Sequence, residues 1–314
     1  MAPLTRQRKK ALAAEAAAAP SIGPRDRLSV LPFDVLCLII GFLPVKDAVR
    51  TCVLGRHWRH LWKSASGLRI GCGGGDGKPT KVKELREFMH NLLRARGDSP
   101  LETFELCLPD YGHDDIPDMN SWVRHAVMRG VRVLSINFLN SDPFKGVFEL
   151  DESPLISRHL TRLQLTWVDL NDRFLDFSSC LVLEDLEISY CYLCLANRIS
   201  SQSLKTLSFI GSCHFNETSR TQIIAPNLVS LRMEVSVGRT PFLERMPFLM
   251  EATIKVSTFD DNCFYERKVQ IDGSPDPAGR LTATNEHLKL VRIRSGVLNQ
   301  DVFHVLKFMN GFNL

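Results

Sequence analysis

The sequence has no uninterrupted apolar run long enough to cross a bilayer. Of its 314 residues 44% are hydrophobic and 24% are charged, as in ordinary globular domains, and no stretch approaches the eighteen apolar residues of a membrane-spanning helix. Residues 1–20 place bases before small residues, as a signal peptide does, but they lack a leucine-rich centre and include Glu15. We therefore expect residues 1–24 to be a disordered basic, alanine-rich tail.

Residue groupings typical of enzymes are also missing. The nine histidines are scattered without an H-E-x-x-H pattern, and G-x-S-x-G does not occur. Gly77 and Lys78 resemble part of a phosphate-binding loop, but Pro79 stands where Ser or Thr is required and Cys72 replaces the first glycine. The sequence therefore predicts a protein without catalytic residues and without a cofactor.

The nine cysteines do not form the even framework of a small secreted domain, so we expect reduced thiols and a location in the nucleus, the cytoplasm or both. Cys191 and Cys194 have the spacing of half a zinc site, but no second pair follows at the distance a zinc finger needs. We therefore interpret Cys191 as a packed core residue and predict no metal site.

Residues 25–67 predict three short amphipathic helices. Pro32 and Pro44 suit a first helical turn, and apolar residues then recur on one face of each segment. In the third segment Trp58, Leu61, Trp62 and Ala65 follow at helical spacing, and Gly67 serves as the stop. A unit of about forty residues buries little surface by itself, so its large apolar side chains predict a docked partner.

This stretch resembles the F-box of plant proteins that join an F-box to leucine-rich repeats. The resemblance is carried by Asp26-Arg27-Leu28-Ser29, Leu31-Pro32, Val35-Leu36, Ile39-Ile40, Phe42-Leu43-Pro44, Lys46 to Thr51, Val53-Leu54 and Trp58 to Trp62. It implies docking on a Skp-type adaptor, and through it on cullin and RING subunits, with these anchors: Leu31, Pro32, Leu36, Ile39, Leu43, Val53, Leu54, Trp58 and Leu61. Phe33, Gly55 and His57 depart from the family pattern and keep a second hypothesis open, a protein-interaction scaffold that no longer engages the ligase.

After the F-box, residues 68–80 contain a glycine run that predicts a linker, and residues 81–96 again show helical spacing. An apolar pattern at i, i+3 and i+5 then begins eight times, at Leu101, Val131, Leu160, Leu183, Leu204, Leu228, Leu249 and Leu288. Most intervals lie in or near the range of leucine-rich repeats. The predicted fold class is therefore α/β: a small F-box followed by a solenoid over residues 81–314, with short parallel strands on its concave face and helices or irregular turns on its convex face.

In such a strand, the residues flanking the apolar pair point away from the core. These positions carry our tentative target-binding residues, Arg162, Gln164, Asp185, Glu187, Arg232, Glu234, Lys255 and Arg292. Their mixed charge predicts a protein target, which on the resemblance would be held for ubiquitin transfer. The last unit resembles the start of the FBD segment of the plant family, and we expect it to be truncated.

The charge is unevenly distributed along the chain. The total is +4, and residues 1–69 are strongly basic while the remainder is net acidic. A basic docking module suits an acidic partner. The basic residues are few and local, so nucleic-acid binding through Arg6 to Lys10 is only the weaker alternative.

Overall fold

The structure, a computed structural model, describes residues 28, 30–71, 82–108, 111–138, 148–150, 154–234, 237–239, 241–256 and 290–295. The predicted tail, nearly all of the glycine run and the segment 257–289 therefore lie outside the described residues. So does everything after residue 295, where the sequence predicts a helix.

The F-box region forms two short α-helices and two 3-10 turns. Helix α1 is Phe33–Gly41 and helix α2 is Val45–Arg50; the 3-10 turns are Thr51–Val53 and Leu61–Ser64. Pro32 and Pro44 stand immediately before the two helices, where the absence of an amide N–H costs nothing. The predicted third helix is wrong, because residues 56–60 form turns and only Leu61–Ser64 is helical, with 3-10 bonding.

Gly67 is not a helix stop. It begins strand β1, Gly67–Ile70, so the prediction that the linker starts at residue 68 is wrong. A Cβ atom on Gly67 would lie 2.5 Å from the carbonyl oxygen of Gly41, which no real side chain tolerates. Gly67 therefore allows the end of α1 to pack backbone against backbone on β1.

Two longer helices follow the F-box, α3 (Val82–Arg96) and α4 (Ile116–Met128). Both carry a buried face that joins the large hydrophobic core. The predicted helix over residues 81–96 is confirmed to within one residue.

Within the described residues the strands form three sheets, and every paired strand in them is parallel. The largest sheet has nine strands. In their order across the sheet they are β1, β2 (Thr103–Cys107), β3 (Val133–Asn137), β5 (Arg162–Thr166), β7 (Asp185–Ser189), β10 (Thr206–Ile210), β13 (Ser230–Glu234), β15 (Glu251–Val256) and β16 (Leu290–Ser295). The eight predicted strands are confirmed as parallel neighbours, and β1 is a ninth that the sequence reading missed.

Two smaller parallel sheets share the same core. One contains β4 (Phe148–Glu149), β6 (Val168–Asn171), β8 (Tyr192–Leu195) and β11 (His214–Phe215); the other contains β9 (Arg198–Ser200), β12 (Gln222–Ile224) and β14 (Phe242–Leu243). Their buried side chains, such as Leu170 and Ile199, join one cluster with the buried face of the nine-stranded sheet. The segments between the long strands are thus partly strands themselves, where helices or irregular turns were expected.

Cys191 packs in this core as predicted. It is fully buried, and its thiol donates to the carbonyl oxygens of Leu165 and Ser189 at 3.4 and 3.3 Å. Burial raises the pKa of the Cys191 thiol far above its usual range, so the group behaves as a small apolar residue with a weak donor.

Candidate partner-binding surfaces

The F-box region has its own small core. Leu36 and Ile40 of α1 pack with Ala48 of α2 and with Trp58 and Leu61 of the following turns. Trp58 and Leu61 still join the same core although the predicted helix is absent, because the backbone N–H of Leu61 bonds the carbonyl oxygen of Trp58 and closes a turn between them. The tryptophan and the leucines therefore hold two helices and a turn together.

This arrangement corrects three of the nine predicted docking anchors. Leu36, Trp58 and Leu61 are 0%, 5% and 1% exposed, so their side chains offer no surface to a partner and serve the module's own core. Leu31 and Leu43 are partly buried against that core. The sequence pattern located these residues correctly as apolar, but periodicity alone cannot tell a core contact from an interface contact.

The other four predicted anchors are exposed. Ile39 is 37%, Val53 83% and Leu54 64% exposed, and Pro32 is exposed as well. Val53 and Leu54 stand at the end of the first 3-10 turn. These are the predicted anchors that a docked subunit can reach.

Beside the predicted anchor Ile39, helix α1 and the residue after it carry three exposed apolar side chains that were not predicted as anchors, Val35, Leu38 and Phe42. Val35, Leu38, Ile39 and Phe42 are 39%, 46%, 37% and 60% exposed. At about 100° per residue these four span an arc of roughly 100° opposite the buried Leu36 and Ile40. We call this set the α1 outer face. A helix that is apolar on two faces needs a packing partner on each face. The apolar residues on both faces of α1 were the sequence signal that could have predicted this second surface.

Several basic side chains lie on the F-box module, although Arg69 also pairs with Glu105 at 3.2 Å and Asp34 is exposed on α1. The guanidinium of Arg69 lies over the ring of Phe42, 5.4 Å from its centroid, and Arg56 and Arg59 are exposed on the turns after α2. Arg50 pairs with Asp47 at 2.9 Å. The exposed face of the module therefore combines apolar side chains with positive charge.

The F-box is joined firmly to the sheet. Pro44 forms an isolated parallel β-bridge with Arg69 of β1. The backbone N–H of Ser66 donates to the backbone carbonyl oxygen of Cys37 in α1. Arg96 at the end of α3 is only 5% exposed and donates to the carbonyl oxygens of Trp62 and Ala65 at 2.9 and 2.8 Å. Burial lowers the pKa of Arg96 to about 10, so the guanidinium remains charged at neutral pH.

The predicted target-binding residues lie on the outer face of the nine-stranded sheet, but several neutralise one another. Arg162 and Asp185 face each other in register, and the guanidinium donates to one carboxylate oxygen at 2.9 and 3.2 Å. Gln164 and Glu187 are the next pair in the same register. The parallel alignment thus neutralises Arg162 and Asp185, whereas Glu187 faces the uncharged Gln164 and Ser208.

The carboxylate of Glu234 is buried and is bonded to neighbouring groups of the sheet. It is 8% exposed and accepts the backbone N–H of Gly211 at 2.7 Å. Arg232 and Lys255 lie 3.1 and 3.7 Å from its other oxygen. Burial by itself would raise the pKa of Glu234, but the bond from Gly211 and the two cations outweigh it and lower the pKa. Glu234 is thus a structural acceptor, which corrects its assignment to target binding.

Arg292, the last of the predicted target-binding residues, lies in β16 opposite Thr253 of β15.

In the described part of the chain, no group of acidic, histidine or cysteine side chains could hold a metal ion. Within that part, no helix is long and apolar enough to cross a membrane.

The chain thus combines a helical module that has an uncovered apolar face with parallel strands that repeat an apolar pattern. Residues 28–69 match the F-box domain. An F-box/LRR-repeat protein of Arabidopsis thaliana is 27% identical over 76% of this chain and 54% of its own length. A second, F-box/LRR-repeat protein At4g14096, is 26% identical over 91% of this chain and 64% of its own.

A third relative, F-box/FBD/LRR-repeat protein At1g13780 of Arabidopsis thaliana, is 32% identical over 35% of this chain and 24% of its own length. No solved structure matches the chain. The chain thus contains an F-box match and is similar to F-box/LRR-repeat proteins of Arabidopsis thaliana. The chain spans less than two thirds of the length of these three relatives.

Proposed function

We propose that the chain is the substrate-recognition subunit of a Skp-cullin-F-box ubiquitin ligase. Its F-box docks on a Skp-type adaptor, which connects it to cullin and RING subunits, and its repeats bind a target protein. The protein supplies proximity between target and ligase and no catalytic group. It works in the nucleus, the cytoplasm or both.

The observation that carries this proposal is the uncovered α1 outer face together with Val53 and Leu54. Clustered exposed apolar side chains mark interaction sites, and both groups lie here within the F-box match. The basic residues around it favour an acidic adaptor, because charge complementarity speeds encounter and fixes orientation.

The repeats are proposed to form a leucine-rich-repeat solenoid. Three observations support this: the nine-stranded parallel sheet, the shared core between that sheet and the intervening strands, and the names of the relatives. Stacked repeats of this type offer an extended surface to a partner.

The test is a calorimetric titration of the purified chain with a plant Skp-type adaptor. Covering one large apolar side chain contributes about 1.5–3 kcal/mol, so the double variant Val53→Ser/Leu54→Ser is expected to bind at least about tenfold more weakly. Leu195→Ser is the matched control, because Leu195 is an equally exposed apolar residue, at 67%, on strand β8. Wild-type binding without loss in the double variant would contradict the assigned surface.

The second hypothesis, a scaffold that does not engage the ligase, is favoured by one observation. Phe33 is 51% exposed and Gly55 and His57 are exposed too, so the departures from the family pattern fall on the module's surface. Absence of adaptor binding by the folded wild-type chain would decide for the scaffold.

A further inference from the structure

Exposed apolar side chains of the repeat region concentrate where the strands of the nine-stranded sheet begin. We call this border the N-terminal edge. Met128, Ile156, Leu181 and Phe248 are 81%, 63%, 70% and 52% exposed, and each precedes one of the long strands by three to six residues. Among the described residues, none of the large apolar side chains exposed to this degree lies within a strand of that sheet.

One end of this edge holds a pocket that combines apolar and basic side chains. It lies between the end of α4 and the loop before β5, has a volume of about 360 Å³, and is lined by Met128, Ile156, Arg129, Arg158 and His159 among others. The loop that forms one wall is bonded within itself and anchored in the core. The buried Ser157 hydroxyl accepts the N–H groups of His159 and Leu160 at 3.2 and 3.1 Å, and Leu155 and Leu160 anchor the loop in the core.

The free charge of this pocket is positive. Arg129 is already paired with Asp98, whereas Arg158 is exposed and has no carboxylate at ion-pair distance in the part of the chain that the structure describes; the exposed His159 ring adds a polar group beside it. Gly130, in the left-handed region at φ +74°, lets the His159 ring pack over the end of α4, since a Cβ there would lie 3.2 Å from the ring. The pocket thus complements a carboxylate next to an apolar side chain.

The apolar surface continues along the same edge. A groove of about 820 Å³ is lined by Leu181, Val182, Phe248 and Met250, and its charged members Glu184 and Lys205 cancel each other at 2.6 Å. From β3 to β15 the sheet crosses five strand spacings, which at about 4.8 Å each is roughly 24 Å. An extended peptide of about seven residues has that length at 3.3 Å per residue.

We propose that the N-terminal edge, rather than the outer face of the sheet, binds the target, as an extended peptide with apolar side chains along its length and its carboxylates at the Arg158 and His159 end. This inference rests on the proposed function and specifies the partner's chemistry. The outer face of the sheet also favours the N-terminal edge as the binding site, because on that face Arg162 and Asp185 neutralise each other and Glu234 is buried.

The test uses the full chain and three fluorescent peptides of about ten residues in anisotropy titrations. One peptide alternates leucine with polar residues and carries glutamates at one end; the second has lysine for glutamate; the third has serine for leucine. The first is expected to bind at least about tenfold more tightly than the others. Equal binding of the three peptides, or none, overturns the proposal.

Variants then locate the site. Met128→Ser/Ile156→Ser and Arg158→Glu are each expected to weaken binding of the first peptide by about tenfold or more. Leu195→Ser, on strand β8, and Lys83→Glu, exposed in the first turn of α3, do not line the pocket or the groove and are expected to leave binding unchanged. Loss in the controls, or no loss in the edge variants, overturns the assignment. Dimerisation in sedimentation runs that Met128→Ser/Ile156→Ser abolishes would make the edge a contact between copies, which also overturns it.

Adaptor titration with the same proteins separates the two proposals. The edge variants are expected to bind the adaptor like wild type, because the edge does not include the α1 outer face. Failure of the wild-type chain to bind the adaptor would refute the proposed function. The peptide titration would still test the N-terminal edge independently.

Discussion

Replacement of Arg96 by methionine is expected to loosen the junction between the F-box and the repeats. Arg96 is one of the few buried charged residues, and its guanidinium bonds three carbonyl groups, those of Trp62 and Ala65 on the F-box side and that of Pro100 before β2, the last at 3.4 Å. Methionine retains much of the volume and removes every donor.

The magnitude follows from two opposing contributions. Each of the two short bonds from a charged donor contributes about 1.5–3 kcal/mol. Burial, which lowers the pKa of Arg96 to about 10, reflects a desolvation cost of roughly 3 kcal/mol. Since methionine also leaves buried carbonyl groups without a donor, at about 1–3 kcal/mol each, we expect Arg96→Met to lower the free energy of unfolding by about 2–4 kcal/mol.

Thermal and urea unfolding followed by circular dichroism measure this change. A loss of that size lowers Tm by at least about 5 °C in a domain of this length. Arg94→Met is the matched control, because Arg94 is exposed on the same helix and bonds only the Asn91 side chain, at 3.5 Å. Equal stability of Arg96→Met and wild type would refute the reasoning.

The pH dependence of this difference has a defined sign. The folded-state pKa of Arg96 lies below its ordinary value, so the guanidinium is protonated in both states at neutral pH. Its burial cost is relieved only as pH rises through about 10, where the folded state releases the proton first. The stability gap between Arg96→Met and wild type is therefore expected to be constant from about pH 6 to pH 9.

Three further predictions concern packing and surface charge. Gly41→Ala is expected to destabilise the F-box by more than about 2 kcal/mol in urea unfolding, because its Cβ would lie 2.6 Å from the backbone nitrogen of Gly67; a neutral effect would mean that the two backbones separate freely. Trp58→Ala should cost about 3–5 kcal/mol of folding free energy, measured as a fall in Tm, and a stable variant that loses only adaptor affinity would return Trp58 to the interface. Arg162→Met and Asp185→Asn should each change stability by less than about 1 kcal/mol, and a larger change would show that this exposed pair does more than cancel charge.

The strands were predictable because their pattern is local. Two apolar residues separated by one, as in Leu163 and Leu165, fix which face of a strand is buried, and repetition of that pair fixes the neighbours in the sheet. β1 escaped prediction because Leu68 and Ile70 form a single short pair directly before the glycine run. Nothing in the sequence shows that Gly67 is required by the approach of Gly41 and not by a helix end.

The candidate site was predictable only in part, for a different reason. Helical spacing shows that Leu36 and Ile39 belong to an amphipathic stretch, but not which of them faces the module's own core. That depends on where Trp58 packs, which is a tertiary contact. The pairing of Arg162 with Asp185 likewise depends on strand register, because the two residues are 23 positions apart, and the outer face cannot be read as charged until that register is known.

The junction bears directly on the proposed function. A flexible linker between the F-box and the repeats would let a bound target sample many positions relative to the adaptor. The structure instead continues the F-box into β1 of the nine-stranded sheet, and Arg96 and the Gly41–Gly67 contact hold that continuation in place. Because ubiquitin transfer on this proposal depends on proximity and orientation alone, a fixed junction makes the position of the target a property of this chain. Variants that loosen the junction should then impair transfer more than they impair either binding step.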